Sequence, residues 1–395
     1  MTMLTLVPCP SCAGENQSKV YENRRIAGKF GELPVVVVQC ESCGFLFNSP
    51  RPDSQTLASF YSQDRMASGQ VFRDESSGGH YPQLHAKRAE FLAKLLQGRQ
   101  NGRILDVGCG KGGFLRALAN EFPNWDISGL DPSSNAVESC AEHNLPVVQG
   151  MLGDDILTAE KFDVVCLVSV LEHLPDPGAA ICWCRRRLMA NGLLFVEVPD
   201  TLQPEQSLTG FFNLEHIVHF TPFSLYRLLQ QRGFNFSIHD RDADGVIRVV
   251  FSNEFAGSHS VSDFTPGDDR VHARQSVRNY ANAEHQLIDK LRRRVTNCLE
   301  DWRQRGLKVA VYGAGLHTAE LAALINLNEN VSCILDGDPN KQGQKYLDLP
   351  VLMPQYLADG EIDAVLISSN RFVNEMVSKT RELGGDKVEI MSCYE

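Results

Sequence analysis

Between Arg103 and Ser252, short apolar runs alternate with stretches whose apolar residues recur every three or four positions. The runs Arg103 to Val107, Ile127 to Leu130, Val147 to Gln149, Phe162 to Ser169 and Leu193 to Val198 predict strands, and the stretches between them predict helices. Alternation of this kind implies an α/β unit with a mostly parallel sheet covered on both faces. Ser237 to Phe251, broken at Asp244 and Gly245, reads as a closing antiparallel hairpin. After Gly306 a second series, Lys308 to Tyr312, Val331 to Leu335, Ala364 to Ser368 and Val388 to Met391, predicts a smaller doubly wound unit. The segment Glu254 to Arg270 is polar and aperiodic, as a linker is. Beyond it Val277, Tyr280, Ala281, Leu287, Ile288, Leu291, Val295, Cys298, Leu299 and Trp302 make one helical stripe, interrupted at Glu284, that can pack on its own domain or form a coiled-coil dimer. The first fifty residues differ, with paired cysteines and one strand-like run, Val35 to Gln39. The expected division is a small module over 1–55, a central domain over 56–253, a linker and long helix over 254–306, and a carboxy-terminal domain over 307–395.

Composition narrows the function classes. With 395 residues, 43% hydrophobic and 22% charged, the chain is long and apolar enough for several cores. A net charge of -11 repels a phosphate backbone unless basic residues cluster, and Arg185 to Arg187 and Arg292 to Arg294 are short runs on expected helix faces. No nucleic-acid partner is expected. No run approaches the roughly 20 apolar residues that span a bilayer, and Met1 to Pro8 lacks the features of a leader, so a cytoplasmic protein with no membrane partner is expected. Twelve cysteines are too dilute for a disulfide scaffold.

Four of those cysteines are paired: Cys9-Pro10-Ser11-Cys12 and Cys40-Glu41-Ser42-Cys43-Gly44. Two residues between thiolates make a knuckle whose sulfurs converge, and two knuckles close a tetrahedral site, for which zinc is the expected ion and a structural role the expected use. A rubredoxin-like iron and two disulfides are the alternatives. Cys109, Cys140, Cys166, Cys182 and Cys184 read as buried thiols.

The second signal is Leu105-Asp106-Val107-Gly108-Cys109-Gly110-Lys111-Gly112-Gly113-Phe114, a glycine turn after a strand and before a helix. The next strand ends at Asp131, where a carboxylate can accept from two ribose hydroxyls. Asp106 would repel a pyrophosphate and suits a ligand with an ammonium group. These residues, with Phe162-Asp163-Val164-Val165 and Leu171-Glu172-His173-Leu174-Pro175-Asp176-Pro177, resemble the class I S-adenosylmethionine-dependent methyltransferases. Cys40 to Pro52 and the carboxy-terminal series extend the similarity to bacterial three-domain sugar C-methyltransferases with an amino-terminal zinc module. The resemblance implies a Rossmann-like methyltransferase fold between a zinc ribbon and a smaller Rossmann-like domain. It implies that Asp106, Gly108, Gly110 and Ser169 border the methionine part of S-adenosylmethionine, Asp131 the ribose, and Pro132 and Met151 the adenine. Glu172-His173 reads as the start of a surface turn.

Asn213-Leu214-Glu215-His216-Ile217-Val218-His219-Phe220 follows the fifth strand, where such folds open their cleft. Two imidazoles beside a carboxylate can remove and hold a proton, so His216, Glu215 and His219 are the candidate catalytic residues, with the metal module distant from methyl transfer. Sugar C-methyltransferases resemble this segment in the Glu-His pair, although they carry Tyr, His and Tyr where this chain has Asn213, Leu214 and His219. The expected reaction is methylation of a small-molecule acceptor, with carbon methylation of a nucleotide-linked keto sugar first and O- or N-methylation of a polysaccharide or natural-product precursor second. Tyr312-Gly313-Ala314-Gly315-Leu316-His317-Thr318, with Asp336 ending the next strand, resembles a nucleotide-binding turn and is equally readable as packing. An NAD-dependent enzyme using that turn and a zinc-ribbon nucleic-acid binder are the competing classes.

Overall fold

The computed structural model describes residues 4–23, 26–27, 31–32, 34–57, 81–204, 210–234, 236–240, 245–252, 266–369 and 372–394. The expected hairpin turn at Asp244 and linker residues 254–265 lie outside them. Two compact units result: one from the described residues of 1–23, 35–204 and 212–278, the other from those of 24–34, 205–211 and 279–395.

In the first unit, β1 (Gln17–Asn23), β2 (Val35–Cys40) and β3 (Leu46–Asn48) form an antiparallel sheet. The valine run Val35–Val38 favours this half-buried pleated surface. The central sheet begins after α1 (Tyr81–Leu95) and contains β4 (Arg103–Val107), α2 (Gly113–Glu121), β5 (Asp126–Asp131), α3 (Ser134–Glu142), β6 (Val147–Gln149), β7 (Phe162–Val168), α4 (Pro177–Arg187) and β8 (Leu188–Pro199). A two-residue strand β9 (Val218–His219), then α5 (Pro222–Gln230), β10 (Phe236–His239) and β11 (Val246–Ser252) follow. The strand order is β6-β5-β4-β7-β8-β11-β10. All pairs through β7–β8 are parallel, and β8–β11 and β11–β10 are antiparallel. β8 begins at Leu188, before the apolar run starting at Leu193, because Leu188 already pairs with Phe162 across a register shift. Helix starts follow local chemistry: Asp176 caps α4 by accepting from Ala179 N at 2.8 Å, with Pro177 in the first turn, and Thr221 and Ser224 form a capping box on α5.

The amino-terminal module does not stand apart from this sheet. β9 pairs antiparallel with β3, Val218 opposite Phe47 and His219 opposite Leu46, so a strand from beyond β8 completes the module's sheet. Val38, Phe45 and Phe47 share one apolar core with Val107, Leu167, Val196 and Phe220. A buried ionic chain braces the other face. Glu197 on β8 accepts from Arg88 Nε of α1 at 3.0 Å and from Arg248 Nε of β11 at 2.6 Å, and Arg248 Nη1 reaches Asp240 at 2.6 Å.

Helix α6 (Arg270–Gln304) carries the expected stripe, and its later residues Leu291, Val295, Leu299 and Trp302 pack with Val309 and Val311 of their own unit. Glu284 interrupts the stripe yet is buried, accepting from Tyr280 Oη at 2.7 Å. The second unit contains β12 (Val309–Tyr312), α7 (Leu316–Leu324), β13 (Cys333–Leu335), β14 (Lys345–Tyr346), β15 (Leu349–Leu352), β16 (Ala364–Ile367), α8 (Val373–Gly384) and β17 (Glu389–Ser392). Its order is β14-β15-β13-β12-β16-β17, parallel except at β14–β15. No described helix is long and apolar enough to cross a membrane.

Candidate functional site

The carboxyl ends of β4, β5 and β7 gather the expected cofactor residues. Gly108 and Gly110 hold φ of +73° and +52°, the left-handed region that favours glycine. A Cβ on Gly110 would meet nothing within 4 Å, so open space lies over the turn, whereas one on Gly108 would come 2.6 Å from Val170 Cγ2. Asp131 fixes the turn: its Oδ2 accepts from Gly110 N and its Oδ1 from Ser133 N, each at 2.9 Å. A carboxylate oxygen can accept more than one hydrogen bond, so both oxygens retain capacity for ribose hydroxyls. Asp106, two residues before Gly108, is buried. Ser169 has φ +54°, a left-handed non-glycine at the end of β7 with its N–H on Glu197 O at 2.9 Å, the kind of backbone outlier that clusters at functional sites. Pro132 and Met151 lie half-buried after β5 and β6, with Pro132 O accepting from Gln149 Nε2 and Met151 N donating to Asp154. The turn therefore fits an adenosine ligand with an amino-acid tail.

Cys9, Cys12, Cys40 and Cys43 converge, their sulfurs all within 4.8 Å of one another. Cys9–Cys43 and Cys12–Cys40 Sγ separations are both 3.6 Å, longer than the ~2.05 Å of a disulfide bond. Tetrahedral Zn–S bonds of ~2.3 Å set sulfurs about 3.8 Å apart, so the four thiols match a closed metal site. A hydrogen bond from Cys9 pulls the Cys43 thiol down to about 5. A Cβ on Gly14 would press on Cys12 and Cys40 Sγ at 3.3 Å, showing how closely the knuckle backbone passes the sulfurs.

The third constellation joins two loops. A 3₁₀ turn, Leu171–His173, follows β7, and Ile217 N donates to Glu172 O at 2.8 Å. His173 Nδ1–H donates to Glu215 O at 2.9 Å, which turns Nε2 toward Glu172 Oε1, 3.9 Å away. The His173 and His216 rings meet edge-on with centroids 4.8 Å apart, and donor atoms of Glu172, His173 and His216 all lie within 4.8 Å of one another. Glu172 is 2% exposed, and its Oε2 has no hydrogen-bond partner among the described residues. Burial, with Glu197 nearby, pushes its pKa up to about 8, so the carboxyl is neutral at pH 7. Val170, which packs on Gly108, directly precedes this turn and so links the trio to the glycine turn.

His216 thus sits with two groups that the sequence places at the start of a surface turn. Glu172 and His173 were legible as residues but not as a site, because a short 3₁₀ turn buries a carboxylate with no periodic signal. His219, by contrast, does not join them. It is buried, its Nε2–H donates to Asn48 Oδ1 at 2.9 Å, and its ring stands edge-on to Phe212 at 4.8 Å. Burial, with His216 nearby, lowers its pKa to about 3, so the ring is neutral at pH 7 and a weak proton acceptor. Asn213 Oδ1 accepts from Glu215 N and His216 N at 2.9 and 2.8 Å, so it shapes the loop. Asn48 Nδ2 donates to Asn213 O and His216 O, and Arg51 Nη2 to Pro175 O, so the amino-terminal module holds both loops of the trio.

Residues 80–237 match the methyltransferase domain family model, and residues 306–391 match a model described as C2185-like, N-terminal. Ubiquinone biosynthesis O-methyltransferase of Histophilus somni is 32% identical over 124 residues, covering 29% of this chain and 51% of the relative. The Alkalilimnicola ehrlichii counterpart is 28% identical over 146 residues, covering 35% and 58%. The chain spans about half the length of the curated relatives it matches. Among solved structures, a possible histamine N-methyltransferase from Thermotoga maritima aligns with a TM-score of 0.34 and 18% identity over 44% of this chain and 91% of that one. DesVI of Streptomyces venezuelae aligns with a TM-score of 0.34 and 17% identity over 43% and 92%.

Proposed function

We propose that this chain, whose residues 80–237 form a class I S-adenosylmethionine-dependent methyltransferase domain, transfers a methyl group to a small-molecule acceptor with His216 as the base. The observation that carries the reading is the meeting of His216, His173 and Glu172 beside Val170, the residue that packs on the glycine turn. S-adenosylmethionine supplies, when bound, a methyl group already activated on a sulfonium. The protein's task is to hold the acceptor in line and free its nucleophile. Gly108 and Gly110 give the backbone its close approach, Asp131 takes the ribose, and buried Asp106 offers charge to the ammonium group. Pro132 and Met151 flank the adenine, and Ser169 the methionine part. His173, steered by Glu215 O, orients His216. Glu172 stays neutral and so does not pin either imidazole as a permanent ion pair.

The acceptor is read first as the carbon beside a ketone in a nucleotide-linked sugar, from the Glu215–His216 pair. A hydroxyl acceptor is the second reading, favoured by the O-methyltransferase names of the curated relatives. Cys9, Cys12, Cys40 and Cys43 would hold one structural zinc ion. Labelled methyl donor and a panel of nucleotide keto sugars and phenols test the assignment. His216→Gln should lower turnover by about 10² to 10⁴-fold with S-adenosylhomocysteine affinity unchanged. Full turnover by that variant would contradict the base role.

A further inference from the structure

The second unit repeats, in another chemical key, the arrangement that fixes the cofactor turn of the first. Asp336 follows β13 as Asp131 ends β5. Its Oδ2 accepts from Ala314 N at 2.8 Å and its Oδ1 from Asp338 N at 2.9 Å, as Asp131 accepts from Gly110 N and Ser133 N. Gly313 holds φ +118° in the turn between β12 and α7. The sheet places β13 on one side of β12 and β16 on the other, both parallel, so the chain reverses direction of winding at β12–β16. Open α/β sheets bind ligands in the crevice outside the carboxyl ends of their strands at such a point.

Two differences decide what the crevice would take. Where β4 carries Asp106 two residues before its first glycine, β12 carries Val311, so the acid that repels a phosphate is absent. Lys341 Nζ also reaches into the turn, 3.0 Å from Asp336 Oδ2 and 2.9 Å from Ala314 O. Helix α7 opens behind Gly315 with no side-chain cap.

A separate observation points to an occupant. Ser368, immediately after β16, is 5% exposed, and its hydroxyl has no hydrogen-bond partner among the described residues. Its N–H donates to Tyr312 O at 3.1 Å, and its carbonyl oxygen lies 3.1 Å from where a Cβ on Gly313 would stand. Strand alternation sets its side chain with Ala364 and Leu366, on the face where those residues pack with Leu321 of α7. That direction aims an unpaired hydroxyl toward the glycine turn. A buried hydroxyl without a partner costs free energy that a ligand would recover.

We propose that this crevice, walled by Gly313, Gly315, Asp336, Lys341 and Ser368, binds the ribose and phosphate of a nucleotide. Asp336 takes the ribose hydroxyls, and Lys341, the turn and Ser368 take the phosphate. Thr318 stands where a dinucleotide fingerprint has its third glycine, and its hydroxyl bonds back to Gly313 O, which favours a mononucleotide over NAD. The proposal does not depend on the methyl-transfer reading.

The test is calorimetry on the full chain saturated with S-adenosylhomocysteine, titrated with ADP, GDP, UDP and dTDP and with the corresponding nucleosides. At least one diphosphate should bind at one per chain. Lys341→Gln should weaken it by about 10- to 100-fold, the range of a lost charge-assisted contact, and leave the nucleoside unchanged. Asp336→Asn should weaken both. Running UDP-glucose beside UDP separates a free nucleotide from a sugar carrier, and either result supports the site. If Asp336→Asn fails to fold, the Lys341→Gln comparison decides. Absence of binding at about 1 mM, the weak end for a specific ligand, would overturn the proposal. So would unchanged affinity in Lys341→Gln, or release of S-adenosylhomocysteine by the diphosphate.

Discussion

His216 and His219, three positions apart, show how one residue type divides into two roles by surroundings alone. His216 stays half-buried against His173, while His219 is enclosed between Asn48 and Phe212. Their shared motif was visible in the sequence, but their division was not, because it depends on Asn48, far away in the chain. Glu172 makes the residue scale measurable. Its folded pKa, about 8, lies above the ordinary 4.5, so the folded state binds the proton more tightly. The stability this gives is complete below about pH 4.5 and is lost as pH rises toward 8. Glu172→Gln, which copies the neutral carboxyl, should remove that slope and melt higher than the parent at pH 8, by on the order of 5 °C. Parallel melting curves for the two proteins from pH 5 to 8 would contradict a neutral Glu172.

At the scale of elements, the glycine turn and the thiol module each depend on a contact that sequence spacing only hints at. Gly108 combines φ +73° with the packing of Val170, so Gly108→Ala meets both backbone strain and a clash. A left-handed alanine costs about 1–2 kcal/mol, so S-adenosylhomocysteine affinity should fall. Adding Val170→Ala should recover the steric part alone, and full recovery would show that backbone strain is immaterial. For the module, Cys40→Ser should remove metal and stability together. Because Asn48 and Arg51 bond to the loops of the trio, that variant should also lose turnover. Metal analysis of the folded parent should find one zinc per chain, and a metal-free folded parent would end the zinc assignment. A red, visibly absorbing protein would instead mark iron.

For the whole molecule, the strands of both sheets were legible because a buried parallel strand is a short apolar run between helical periods. Their order was not, since β4 pairs with β7 across an intervening strand pair and helices that carry no pairing signal. Least legible was β9, whose two residues pair with Leu46 and Phe47 and draw the thiol module onto the segment that carries His216. Such a distant antiparallel contact leaves no local period. The central claim is that the domain over 80–237 takes S-adenosylmethionine at the turn that Asp131 clamps. Calorimetry of S-adenosylhomocysteine binding to the full chain and to Asp131→Ala tests it most directly. The expected result is one site per chain in the parent and an affinity lower by about 10- to 150-fold in the variant, the loss of charge-assisted hydrogen bonds worth roughly 1.5–3 kcal/mol. Equal affinity in the two proteins would contradict it.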